Sequence, residues 1–508
     1  MRKAWVRAAI AALTCHLPLA AMGADYARTL AYERTVATLA AMVEAGRPAP
    51  ELQAAAVPLG FTHVPPRPSK PLALALALGD VQVSVVGIEL VLSQLALQAG
   101  ANYHVGLRQA QARPEVLLIE DGATSLAQLY EATAAADLAG AIEKTPDGYV
   151  AHLPIAVWNG ATLAIQPGER LLLDREAGAF LLASGNLWGT DGVISGYGRP
   201  NPRLPEFNPF VVVALSGSLS AERMRFADLG YGLFPPLTGV TVLEGGFYAK
   251  PRPALIRDSS FIDAGTLALV DTDDARLVGN VFAGSTGPAL LISGGTDIAA
   301  NGNVMLTGPK AHGIKVTGGA TLVELRENII IDAGLNGIFA DAGAADLRIS
   351  GNLIAGSGRS GVSVASADCI SVRGNLLLQN AQSGIAVSDS AGLLVRGNRL
   401  IDNGNAGISV SNQPDYGAIE IAANELDGNR VGIKGSTTAR LTFASNDFRA
   451  QAPRLLAGEL VQFTDRFFNL NATDEAPTVI DGLQLKSGAK LTPAGALRPT
   501  SCTFEGDA

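Results

Sequence analysis

The sequence predicts an all-β chain, a right-handed parallel β-helix preceded by an N-terminal helical and mixed extension. Composition is the first pointer. Of 508 residues 57 are glycine, aromatics make up 6% and charged residues 17%, which suits many tight turns and stacked aliphatic strands better than large helical domains. The second is a repeat: from about Val278 onward asparagine recurs in one setting, as VGNVF, NGNVM, RENII, SGNLI, RGNLL, RGNRL, AANEL and ASNDF. These are Asn280, Asn303, Asn328, Asn352, Asn375, Asn398, Asn424 and Asn446, spaced by 22 to 26 residues. The third is a glycine about nine positions after each central asparagine, in HGIKV, NGIFA, SGVSV, SGIAV and AGISV (Gly313, Gly337, Gly361, Gly384, Gly407).

Between these marks apolar residues alternate, as in Leu393 and Val395 or Ile408 and Val410, the period of a strand with one buried face. A coil this small cannot bury that face alone, so neighbours must stack and repeat number sets the length of the core. The asparagines are expected to form an internal ladder, each amide bonding the turn of the next coil. Leucine-rich repeats compete for the pattern, but their dense leucines are missing. Less regular early coils are expected from about His152 to Phe261.

At the N-terminus, Arg2, Lys3 and Arg7 precede an apolar run from Ala8 to Leu19 and small residues at Ala21 and Gly23. That is an export signal, too short to span a bilayer, and no later segment is long and apolar enough. The expected division is 1–23 signal peptide, 24–145 N-terminal extension and cap, 146–462 β-helix, 463–508 C-terminal cap and tail. Ala24–Glu44 has helical periodicity and is expected at the end of the stack; HVPPRPSKP reads as a linker, and TDRFFNL as the C-terminal cap.

Loss of the signal segment removes three positive charges and moves the net charge from −9 to −12. An acidic surface argues against nucleic acid, whose binding rests on many Lys and Arg contacts to phosphate. A polyanionic sugar could bind only at a local basic strip. Cys369 and Cys502 would remain in an oxidising compartment, and whether they pair is open. No cysteine or histidine pair has metal-site spacing, and no cofactor is implied.

Several segments in fixed order, DGYV, LPIAVWNGATLAI, LLLDREAGAFLLASGNLWGTDGVISGYG, DLGYG, DSSFID, DTDDARLVGN and KAHGIKV, resemble the periplasmic mannuronan C5-epimerases, exported β-helix enzymes of alginate biosynthesis. The resemblance covers roughly Asp147 to Arg449. It implies a periplasmic protein, an acidic polysaccharide as partner, an exopolysaccharide export complex as a further partner, and inversion of C5 of mannuronate within the polymer. That reaction needs a neutralised carboxylate, a base on one face of the sugar and a proton donor on the other. In the family an Asp-Pro-His-Asp motif carries the central histidine. Counted back from Asn303 its place is Leu290–Ser293, within TGPALLISGG, which has no ionisable side chain. In the next coil His312 matches the family's histidine before Gly313, while the carboxylate-neutralising arginine is replaced by Gly318. Both losses imply lost or altered catalysis.

The expected outward positions are Lys315 and Thr317, Phe339 and Asp341, Ser363 and Ala365, Ala386 and Ser388, Ser409 and Ser411. His312, Lys315 and Asp341 are the candidate catalytic cluster, with Lys310 beside it. Two readings of His312 stand: an acid–base residue, or a turn residue bonded to backbone. A basic stripe of Arg276, Arg326, Arg348, Arg373 and Arg396 leads into the asparagines; it either tracks a polyuronate, coils being about 4.7–4.9 Å apart, or is a solvated face paired with acids. Asp271, Asp273 and Asp274 resemble a calcium cluster, but alternation separates them, favouring a turn role. Asp341 with Asp389 is a weak match to a hydrolase carboxyl pair. An active epimerase or lyase using another site, and a structural surface β-helix, are the remaining alternatives.

Overall fold

The computed structural model of the chain describes residues 22–61, 79, 81–99, 103–111, 113–138, 140–232, 235–244, 252–308, 310–415, 417–437, 439–468, 477–486 and 502. The expected signal segment lies outside them except for its last two residues, and the expected linker lies outside them entirely. Among the described residues three long sheets, here A, B and C, hold fifteen, fifteen and fourteen strands. Each coil gives one strand to each sheet, as Leu290–Ser293 to A, Thr296–Asn301 to B and Val304–Leu306 to C.

The alternation in the sequence stacks like on like. On sheet A Leu290, Ile314, Ile338, Val362, Ile385, Ile408 and Ile433 lie in one parallel register column, and all are buried in one continuous core. Inside sheet C, Phe226, Phe261 and Phe282 stack at 4.9 and 4.8 Å. The stack begins earlier than position 146: Glu115–Asp121 and Ala123–Ser125 already pair in parallel with Ile155–Val157 and Thr162–Ile165.

The asparagine ladder runs side chain to side chain as well as to backbone. Asn375 Oδ1 accepts from Asn352 N–H at 2.9 Å and Asn352 Nδ2 at 2.8 Å, while its Nδ2 donates to Ile349 O at 2.9 Å and Asn398 Oδ1 at 3.0 Å. The same pattern links Asn280 through Asn446. A second ladder joins Asn380, Asn403, Asn429 and Gln451. Its signal, LLLQN, LIDN and LDGN following the first ladder's asparagines, is visible in the sequence.

Among the described residues the helices are α1 (Met22–Glu44), α2 (Ala49–Ala55), α3 (Ile88–Ala99), α4 (Tyr103–Ala110), α5 (Leu126–Ala135) and α6 (Thr464–Phe468). α5 covers the first coils. Its N-cap Ser125 forms a capping box with Gln128, and Leu126, Leu129 and Thr133 are buried. At the other end Phe467 of α6 packs edge-on against Phe443 at 5.1 Å. Cys369 and Cys502 form a disulfide closing 133 residues.

Helix α1, expected at the end of the stack, instead straps the side of sheet C. Leu39, Val43, Leu52 and Phe61 pack on Val304, Ile329, Ile331, Leu353 and Leu378. The reason is legible in VML, III, LIA and LLL: strands apolar on both faces need a cover as well as a core. Arg28 anchors the strap to Asp427 at 2.7 Å and Asp402 at 3.7 Å. Tyr32 donates to Asp332 Oδ1 at 2.5 Å.

Burial raises the Asp332 carboxyl above its ordinary range, with the Tyr32 bond opposing. A carboxyl whose folded pKa is raised contributes most below its unfolded value, about 4, and loses that contribution as pH rises through the folded value. Strap stability is therefore expected to fall as pH rises across this window. Asp332→Asn, which keeps an acceptor for Tyr32, should flatten the profile. Superimposable melting curves of parent and variant from about pH 4 to pH 8 would remove Asp332 from this account.

Candidate functional site

The outer face of sheet A divides in two. Strands Leu181–Ala183, Val211–Ala214 and Gly239–Leu243 are buried on both sides. Ile88, Val91 and Leu92 of α3, Leu107 and Ala110 of α4, and Phe207, Phe210 and Leu237 cover them, packing on Leu182, Val212 and Leu243. From Leu290–Ser293 onward buried and half-exposed residues alternate, so the outward side chains reach solvent.

Just beyond that edge the His312 cluster assembles. Lys315, on Ile314–Thr317, lies in register between Leu291 and Phe339. The imidazole of His312 stacks on the Phe339 ring at 5.0 Å and 13°, and Lys315 Nζ lies 5.5 Å from the same ring centre and 3.4 Å from Asp341 Oδ2. The structure thus brings His312, Lys315 and Asp341 together around an aromatic platform. Lys310 is exposed on the turn before His312. Gly313 lets the coils close up: a Cβ there would lie 2.6 Å from Gly337 O and 2.5 Å from Ile330 Cγ2.

His312 is half-buried, and the Asn336 backbone N–H donates to its Nδ1 at 3.3 Å. An N–H can only donate, so the neutral ring carries its proton on Nε2. Burial, reinforced by Lys315 and Arg359, lowers the His312 pKa to about 4. The ring offers a donor and has little tendency to take a proton. Arg359, exposed on the neighbouring turn, is the member that sequence reasoning missed; its signal was its place one coil on from Leu335, with which it shares a backbone bond.

The rung at the expected motif position, Leu290–Ser293, alternates buried and half-exposed residues. Leu291 stands half-exposed directly beside Lys315, and Ser293 beside Thr317. Gly318 has φ +65°. It occupies a left-handed turn step taken in other coils by Asp271, Ala342, Ser366 and Asp389, so Asp389 sits on the turn while Asp341 lies in line with Thr317. Asp341 is in turn paired with Lys315. Asp271 and Asp274 likewise sit at left-handed turn positions, and Asp273 Oδ1 accepts from Thr296 N–H at 2.9 Å.

The expected arginine stripe is on sheet B and splits in two. Arg276 and Arg348 share a column with Ala299 and Glu324; Arg326, Arg373 and Arg396 share another with Asn301 and Ser350. Acids are interleaved: Arg276 pairs with Asp297 at 3.0 Å and Arg326 with Glu327 at 2.9 Å. A shallow hollow of about 230 Å³ is lined by Arg276, Asp297, Glu324, Asp346 and Arg348. Of the two readings of these arginines, a polyuronate track or a solvated face paired with acids, the ion pairs at Arg276 and Arg326 correspond to the second.

Residues 300–448 match the family described as right-handed beta helix region. A mannuronan C5-epimerase of Pseudomonas aeruginosa is 30% identical over 190 residues, 34% of each chain. The mannuronan C5-epimerase AlgG of Azotobacter vinelandii is 34% identical over 182 residues, 33% of this chain and 34% of its own. The chain spans about a third of the length of these curated relatives. The crystal structure of the periplasmic alginate epimerase AlgG superimposes with a TM-score of 0.62 over 78% of this chain and 100% of that one, at 17% identity. The fold and the family match together define a right-handed parallel β-helix. Within that class the chain is mannuronan C5-epimerase-like.

Proposed function

We propose that this protein binds an acidic exopolysaccharide in the periplasm, during synthesis or export of an alginate-like polymer, and does not epimerise it. The observation that carries the reading is the His312 cluster beside the empty Leu290–Ser293 rung. Among the described residues the charges that act on His312 are two cations, Lys315 and Arg359, and one acid, Asp341, with Lys310 exposed on the preceding turn, so the local field suits a carboxylate, and Phe339 offers an apolar platform to a sugar ring. The similarity to mannuronan C5-epimerases supports the polymer class. A disulfide between Cys369 and Cys502 supports an exported protein, as does the basic and apolar N-terminus.

Catalysis lacks its parts. Abstracting the C5 proton builds charge on the sugar carboxylate, and charge of that kind without a placed partner costs several kcal/mol, or many decades of rate. A base with a pKa near 4 has little driving force for a carbon acid, and the His312 lone pair is already engaged. Proton NMR of polymannuronate incubated with the protein is expected to show no guluronate signals. Guluronate that appears with the parent and vanishes with His312→Ala would instead make His312, Lys315 and Asp341 an active site.

Binding is expected to weaken at least about tenfold, ~1.4 kcal/mol, in Lys315→Ala combined with Arg359→Ala, and to fall with added salt. Arg373→Ala combined with Arg396→Ala should leave it nearly unchanged. Calorimetric titration with polymannuronate checks both, and the reverse ranking would move the polymer to sheet B.

A further inference from the structure

We infer that the polymer is held by its end: the open face of sheet A is a track closed at one end, which seats the terminus of an anionic glycan and does not let an interior segment pass through. The inference rests on the binding reading above and adds the mode of binding. The closed end is the layer of α3, α4, Phe207, Phe210 and Leu237 over the first half of the sheet. Outward residues Thr241 and Ala268 are fully covered, while Leu291 and Lys315, next in the same register column, are half-exposed. A helical layer stands about 10 Å above the strands it covers, higher than a sugar chain is thick. A polymer lying along the column therefore meets a wall.

The distance from the wall to the cluster is short. Ala268, Leu291 and Lys315 are successive register partners, so two coil steps, about 10 Å, separate the last covered rung from Lys315. That leaves room for about two sugar units, one over Leu291 and Ser293 and one against Phe339 and Lys315. Away from the wall the column continues through Ser363, Ala386 and Ser409 to Lys434. These are small side chains ending at a second cation, five coil steps and about 24 Å from Lys315. Charge complementarity selects the occupant: two lysines in line, with Arg359 and Lys310 on the flanking turns, suit a chain of carboxylates.

The test is stoichiometry against chain length. Polymannuronate fractions of about 10, 30 and 90 residues, chosen so that the longest could hold many proteins along its length, are titrated into the full protein and followed by sedimentation velocity. The expected result is one protein per chain at saturation for every fraction. Bound protein that increases in proportion to length would overturn end binding while leaving the binding reading intact. No binding at any length would overturn the binding reading and this inference with it. A second measurement compares oligomannuronates bearing a bulky amine at the reducing end or a 4,5-unsaturated non-reducing end. One of the two should bind at least about tenfold more weakly than the unmodified chain, and equal affinities for all three would also overturn the inference.

Discussion

Asn375→Leu is expected to destabilise the β-helix by about 2–6 kcal/mol. The change leaves two donors of the buried Asn352, its N–H and its side-chain amide, without their acceptor, and each orphaned buried group costs about 1–3 kcal/mol. Ile349 O also loses the amide that it accepts. Because each coil contacts only its neighbours, the loss should appear as earlier melting of the central coils together with a lower overall midpoint, measured by thermal unfolding and by hydrogen exchange of residues 345–380. A midpoint equal to the parent's, with unchanged protection there, would show that the side-chain ladder does not hold the coils together.

The second large effect is expected at the strap. Leu39 and Leu52 are fully buried between α1, α2 and sheet C, and a carboxylate at either place would be unpaired in an apolar contact, costing several kcal/mol. The strap packs on one side of an already closed stack, so Leu39→Asp with Leu52→Asp should release residues 22–61 without unfolding the coils. Protease should then cut within the strap, a dye for apolar surface should bind the bared Ile329, Leu353 and Leu378 face, and the protein should self-associate, with the far-ultraviolet β signal retained. Protease resistance equal to the parent's would mean that the strap is held by its polar anchors, Arg28 and Tyr32, alone.

Much of this molecule can be read along the chain because its repeat is local. The period of alternation and the returning asparagine and glycine determined the coil, the direction of stacking and the ladder. The grouping of His312, Lys315 and Asp341 followed from the same register, since equivalent positions in successive coils must become neighbours. What joins segments distant in sequence could not be read that way. Only the tertiary structure decided that α1 lies along sheet C and not at its end, that α3 and α4 wall off half of sheet A, and that Cys369 reaches Cys502. The same holds for side-chain chemistry: the acids interleaved with the sheet B arginines, the Asn336 N–H at His312 Nδ1, and Arg359 beside the cluster. The physical reason is that periodicity tells which face of a strand is apolar but not which distant segment will cover it, and partial burial and neighbouring charge, which set the protonation of His312, exist only once that cover is in place.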